Sequence, residues 1–265
     1  EIRKTRAGAR GRFGVNIPLL RADAEDCIKV AQEEEIDIFF TSAGNPAKIE
    51  VMMREYEQKL GRKVYWVQVV ANVRMAKKCE ELKMDAVVAE GFEAGGHNGF
   101  DEITTMCLVP QVVDAVVIPV IAAGGIADAR GVLASFALGA KGVQIGTRFA
   151  ASVESHLHPN YKRAIVEAND TATMLLKRRY NPTRMLLNAY GRKVKELEDR
   201  CASREEIRAL CPKGDPMGLA AEIGDVENGE VEVGQICGLV KKIQTVAEIV
   251  EEITKEYERI KSLLP

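Results

Sequence analysis

Ile118-Pro-Val-Ile-Ala-Ala-Gly-Gly-Ile-Ala-Asp128 is the stretch on which the fold turns. Pro119 to Ala123 is an unbroken apolar run that reads as a strand, and Gly124-Gly125 ends it abruptly. The pattern then repeats: Ala127 to Leu138 has helical spacing, Gly142 to Ile145 reads as a strand, and Gly146-Thr147 closes it. Strands without polar alternation belong to a parallel sheet that is buried on both faces.

The same alternation extends toward the N-terminus. Strands are expected at 13–18, 36–40, 63–70 and 86–89, and helices at 22–35 (Asp23 as N-cap), 47–60, 73–82 and 105–115. Strands and helices that alternate every ~20–30 residues mark βαβ units around a parallel sheet, here a TIM (β/α)8 barrel. Six strands precede residue 150, whereas a closed barrel has eight. The chain opens on Glu1 and its first residues read as the end of a helix, so the first two βα units are expected to be missing from this sequence. Residues 1–152 are expected to form the barrel and 153–235, rich in charge and poor in strand-like runs, a helical cap over its mouth. Residues 236–265 form a C-terminal segment whose amphipathic helix, Val246 to Leu264, packs back on the barrel.

Composition narrows the function. Of 265 residues, 46% are hydrophobic and 29% charged, with a net charge of -2, so no basic field points to nucleic acid or an anionic membrane. Aromatic residues are only 5%, too few for base-stacking platforms. No apolar run is long enough to span a membrane and no signal peptide opens the chain. The six cysteines form no C-x-x-C pair, which argues for a reducing, cytoplasmic setting and against zinc. His156 and His158 form an H-x-H pair with no carboxylate or cysteine set to complete it, so no metal is expected there. The exposed cap and the apolar side of the last helix suggest a homodimer.

Two glycine turns on successive terminal strands are where such barrels bind phosphate: glycine lets backbone N–H groups approach an oxyanion. Ala123, Gly124, Gly125, Gln144, Gly146 and Thr147 are therefore candidate binding residues; the alternative is that the glycines only make tight βα turns. Glu93-Ala-Gly-Gly-His-Asn-Gly99 follows another strand at the same face. Gly95 and Gly96 would let the loop press against a flat ring. His97 and Glu93 are the candidate catalytic residues, the imidazole as proton shuttle or hydrogen-bond donor; a histidine that merely orders the loop is the alternative. Asn16, and Ser42, Gly44 and Asn45, lie at strand ends and fit ligand contact or turn capping equally.

Phe13-Gly-Val-Asn-Ile17, Ala89-Glu-Gly-Phe-Glu-Ala-Gly-Gly-His97, Ile118 to Asp128 and Val143-Gln-Ile-Gly-Thr-Arg-Phe149 together resemble the nitronate monooxygenase superfamily of FMN-dependent barrels. Within it, Ala89-Glu-Gly91, Glu154-Ser-His-Leu-His-Pro-Asn-Tyr-Lys162 and Thr104-Thr-Met106 with Leu108-Val-Pro-Gln-Val112 look more like enoyl-acyl-carrier-protein reductase II. Nitronate monooxygenases tend to have glutamine where Glu90 stands. The tail Gly234-Gln-Ile-Cys-Gly-Leu-Val240 is shared by both branches. The resemblance implies FMN, NADH or NADPH as co-substrate, a possible monovalent cation, and an acyl-carrier-protein thioester as substrate. It also implies that Gly125 and Gln144 to Thr147 hold the FMN phosphate, that Asn16 and Glu90 contact the flavin or ribityl chain, and that His97 lies by the ring. A nitronate monooxygenase, a non-catalytic flavin- or phosphate-binding barrel and a phosphosugar isomerase-type barrel are the competing readings. The last leaves Glu93–Gly99 unexplained.

Overall fold

The computed structural model describes residues 1–211 and 214–263. Its strands are β1 (Val15–Pro18), β2 (Ile38–Ser42), β3 (Tyr65–Val70), β4 (Ala86–Glu90), β5 (Gly96–His97), β6 (Val120–Ala123), β7 (Gly142–Gln144), β8 (Thr173–Leu176) and β9 (Thr183–Leu186). Its helices are α1 (Ile2–Gly8), α2 (Ala24–Glu33), α3 (Glu50–Leu60), α4 (Val73–Glu81), α5 (Thr105–Ala115), α6 (Ala129–Ala137), α7 (Thr147–Ala150) and α8 (Pro159–Glu167), then α9 (Ala189–Asp199), α10 (Arg204–Arg208), α11 (Pro216–Ala221) and α12 (Val246–Lys261).

Six strands form one parallel sheet in the order β1-β2-β3-β4-β6-β7, as the apolar runs require, and the sheet curls into a partial (β/α) barrel with β1 and β7 at its edges. Its two faces differ in kind. The concave face is filled by small side chains, Val67, Val69, Ala86, Val88 and Ala123. The convex face carries the larger core against the helices, with Ile17, Phe39, Trp66, Val70 and Val87. A polar relay is buried in that outer layer. Trp66 Nε1 donates to Thr41 Oγ1 at 3.0 Å and Thr41 Oγ1 donates to Gln68 Oε1 at 2.6 Å, so no member is left unpaired.

Element ends follow local chemistry. Asn72 caps α4 by accepting from Met75 N, and Asn45 accepts from Ala47 N at a 3-10 turn over Pro46–Ile49. Asp23 stands at the N-cap of α2 as expected but makes no capping bond. Its carboxylate is engaged in a two-point ion pair with Arg21 at 2.7 and 2.8 Å, and a charge-assisted fork outcompetes a single amide. The expected helix from Val246 to Leu264 is α12, which ends at Lys261; Leu264 lies outside the described residues.

The segment after Ser152 holds helices α8 to α11, and also strand structure that was not expected. β8 and β9 make an antiparallel hairpin, and β5, from the loop after β4, pairs antiparallel with β9 to complete a three-stranded sheet. Arg184 on β9 is buried, donates from Nε to Phe92 O at 3.0 Å and lies over the Phe92 ring. The hairpin is thereby tied to the 91–99 loop. α12 returns to the barrel, where Tyr257 meets Phe136 of α6 edge-on. Among the described residues no helix is long and apolar enough to cross a membrane.

Candidate functional site

Strand register assembles the first part of the site. Glu90 lies opposite Ala123, and Ala123 opposite Gln144, so three of the expected contacts stand abreast at the C-terminal ends of β4, β6 and β7. The chain then turns through Gly124 (φ +84°) and Gly125 (φ +69°), in the left-handed region that glycine tolerates without a steric penalty. At Gly124 a Cβ would also lie 2.5 Å from Gly91 O, so no other residue fits there. At Gly146 a Cβ would meet nothing within 4 Å, because the position faces open space. Among the described residues the N–H groups of Gly125, Gly146 and Thr147 donate to no protein acceptor. Backbone donors left free beside left-handed glycines form an anion-binding concavity.

The loop after β4 is clamped from both sides. The Glu93 carboxylate accepts from Thr105 N at 2.9 and 3.0 Å and from Thr105 Oγ1 at 2.9 Å, which caps the start of α5 from outside the helix. Thr105 Oγ1 also lies 2.9 Å from Gly124 O. One hydroxyl thus links the loop, α5 and the turn after β6. On the other side, Gln235 N donates to Glu93 O at 2.9 Å and Gly234 N to Thr147 Oγ1 at 2.9 Å. A Cβ on Gly95 would sit 2.5 Å from Gly234 N, so close backbone approach requires glycine there, whereas at Gly96 the left-handed backbone (φ +75°) is what favours it.

These parts enclose a cleft of about 280 Å³. Glu90, Glu93, Gly95, Gly96, Ala123, Gly124, Gly125, Gln144, Gly146 and Thr147 line it, so ten of the twelve expected site residues meet there. Asn16 and His97 do not. Asn16 is exposed on the edge strand β1 opposite Phe40, away from the cleft. His97 pairs with Thr183 across β5 and β9. His97 is exposed, yet partial desolvation of its ring by the surrounding protein holds its pKa below the ordinary imidazole value; Glu230 opposes that shift and Lys177 adds to it. Tyr161, Glu232 and Gly234 also line the cleft, and none was singled out from the sequence as a site residue. Tyr161 donates its hydroxyl to Glu232 O at 2.9 Å. The recurrence of Gly234-Gln-Ile-Cys-Gly in the resembling families was the one signal that pointed to Gly234.

The cleft is lined by carboxylates, and among the described residues no lysine or arginine lines it. Burial pushes the Glu90 carboxyl up to about 7, and burial together with the neighbouring Glu230 raises Glu232, with Lys177 opposing. Glu93 is committed to Thr105. Near neutrality the lining is therefore less anionic than its composition suggests, and the free amides define its most electropositive part. His158 Nδ1 accepts from Asn160 N at 3.1 Å at the start of α8, while His156 is exposed.

Comparisons with known proteins converge on one family. A family model described as nitronate monooxygenase matches residues 1–256. A probable nitronate monooxygenase of Staphylococcus saprophyticus is 35% identical over 206 residues, which cover 72% of this chain and 56% of that protein. Probable nitronate monooxygenases of Staphylococcus aureus are 50% identical over 106 residues, 37% of this chain and 30% of theirs. The chain thus spans about half, or less, of the length of these curated relatives. FabK from Thermotoga maritima superposes with a TM-score of 0.87 at 41% identity, covering 99% of this chain and 81% of that one. Nitroalkane oxidase from Streptomyces ansochromogenes superposes with a TM-score of 0.82 at 23% identity, over 100% of this chain and 86% of that one, a likeness of fold alone.

Proposed function

Because the chain belongs to the nitronate monooxygenase family, we propose that it binds FMN in the cleft and reduces 2-enoyl-acyl-carrier-protein thioesters with NAD(P)H. The observation that carries the flavin reading is the pair of glycine turns with free amides beside the Glu90–Ala123–Gln144 row. A phosphate fits there: the space above Gly146 is open and the amides lack acceptors. Gly125, Gly146 and Thr147 would hold the phosphate. Glu90, protonated about half the time near pH 7, offers a hydroxyl donor as well as acceptor oxygens to a ribityl chain or ring. Asn16 and His97, which the resemblance puts at the ring, are proposed on that ground alone.

FMN, when bound, supplies the hydride chemistry between a nicotinamide and the thioester β-carbon. The chain's own share is to orient and to exclude water. Thr105 and Glu93 fix the loop that forms one wall, and Val233–Gly234 closes the other.

The choice of reductase over nitronate monooxygenase is supported by the 41% identity with FabK over nearly the whole chain and by glutamate at position 90. The names of the curated relatives favour the second reading, oxidation of a nitronate with O2. Flavin-loaded protein with crotonyl thioester is expected to oxidise NADH or NADPH in a substrate-dependent way. No such oxidation, beside rapid oxygen uptake with a nitronate, would replace the first reading by the second. A protein that takes up no FMN would remove both.

A further inference from the structure

A second cavity lies in the cap. It measures about 460 Å³ and is walled by Lys177, Tyr180, Asn181, Tyr190, Arg204 and Arg208. Arg204 and Arg208 are one turn apart on α10, both exposed, and both face this cavity. Like charges at this spacing repel and do nothing for the helix. The acids of α10 make no ion pair with either arginine. Glu206 is held by Arg200 and by the N–H of Ser203, and Glu205, although one turn before Arg208, does not pair with it. Among the described residues neither guanidinium has an ion-pair partner. Lys177 is neutralised by the buried Glu230, onto which Tyr190 also donates at 3.4 Å. Two guanidiniums therefore stand without an ion pair at the mouth of a cavity with tyrosine walls and the Asn181 amide.

The cavity shares a partition with the cleft. Pro216 lines the cavity and Met217 the cleft. Glu230 holds Lys177 and Tyr190 of the cavity wall, Glu232 lines the cleft, and Glu230 N donates to Pro216 O at 2.8 Å between them.

We propose that this cavity is a phosphate-binding subsite, with Arg204 and Arg208 as its recognition pair. Paired guanidiniums match the geometry of phosphate oxygens. The source of the phosphate rests on the reductase reading, which brings two of them: the 2′-phosphate of NADPH and the phosphate of a phosphopantetheine arm. The cavity's affinity for phosphate does not rest on it.

The test is calorimetric titration of the whole chain, loaded with flavin if it takes flavin up, against adenosine 2′,5′-bisphosphate and 4′-phosphopantetheine. Adenosine and pantetheine serve as unphosphorylated controls, and the R204Q/R208Q variant is titrated in parallel. Because both arginines are exposed, the variant is expected to keep its melting temperature. A phosphate probe should bind saturably, bind better than its unphosphorylated parent and lose about tenfold in affinity in the variant. The tighter of the two probes identifies the source. Binding no better than the parents, or unchanged binding in the variant, overturns the proposal. No turnover enters the measurement, so failure of the reductase reading and failure of this subsite are told apart.

Discussion

Single residues separate what folds the chain from what would hold a ligand. Gly124 is demanded by backbone: a Cβ there meets Gly91 O at 2.5 Å and φ is +84°. Gly124→Ala should cost about 1–3 kcal/mol of stability, read as a lower urea midpoint. Gly146 faces open space, so Gly146→Asp should leave the flavin-free protein's melting temperature nearly unchanged while abolishing FMN uptake, because a carboxylate then occupies the cradle. If Gly146→Asp stays yellow, the cradle is assigned to the wrong turn. Glu90 gives a pH signature. Its folded pKa of about 7 lies above its ordinary 4.5, so the folded state binds the extra proton. Stability contributed by that proton is fully present below pH ~4.5 and is lost as pH rises through ~7, by up to about 3 kcal/mol. Glu90→Gln should therefore raise the melting temperature of the flavin-free protein at pH 8 more than at pH 5. An equal effect at both pH values would show that the carboxyl is not buried as described.

Elements explain which parts of the site were legible. β4, β6 and β7 are each followed by a glycine within two residues, and parallel pairing of neighbours puts their ends side by side, so Glu90, Ala123, Gln144 and the turns could be grouped without any distant contact. β5 is different. Gly96 and His97 become a strand only because Thr183 and Arg184 arrive to pair with them, and no local pattern announces that. The hairpin that brings those residues was hidden by length and charge. β8 and β9 have four residues each, the connection carries Lys177, Arg178 and Arg179, and buried Arg184 breaks the apolar pattern. Glu232 and Tyr161 reach the cleft through the same kind of long-range packing. The 91–99 loop was legible as a site but not the work of Glu93, which is bound to Thr105 at the head of α5. Glu93→Ala leaves Thr105 N without its acceptor and should cost about 1–3 kcal/mol, measured as a drop in the urea midpoint. Flavin uptake should weaken with it. A change of less than about half a kcal/mol would show that water replaces the carboxylate.

At the scale of the molecule, the arc of six strands sets a gradient of protection. β3 and β4 are paired on both sides and buried on both faces, whereas β1 and β7 are each paired on one side only. Backbone amides of β3 and β4 should exchange most slowly with deuterium, and those of β1, whose inward-facing Asn16 is exposed, fastest among the six. Uniform exchange across the sheet would mean that it opens only as a unit. The same two edges have a constructive side. Each presents a fixed ladder of donors and acceptors in one strand direction, so the arc can serve as a template. A strand laid along β7 would border the cleft, which lies at the β4–β7 end of the arc, whereas one laid along β1 would extend the sheet at its other edge.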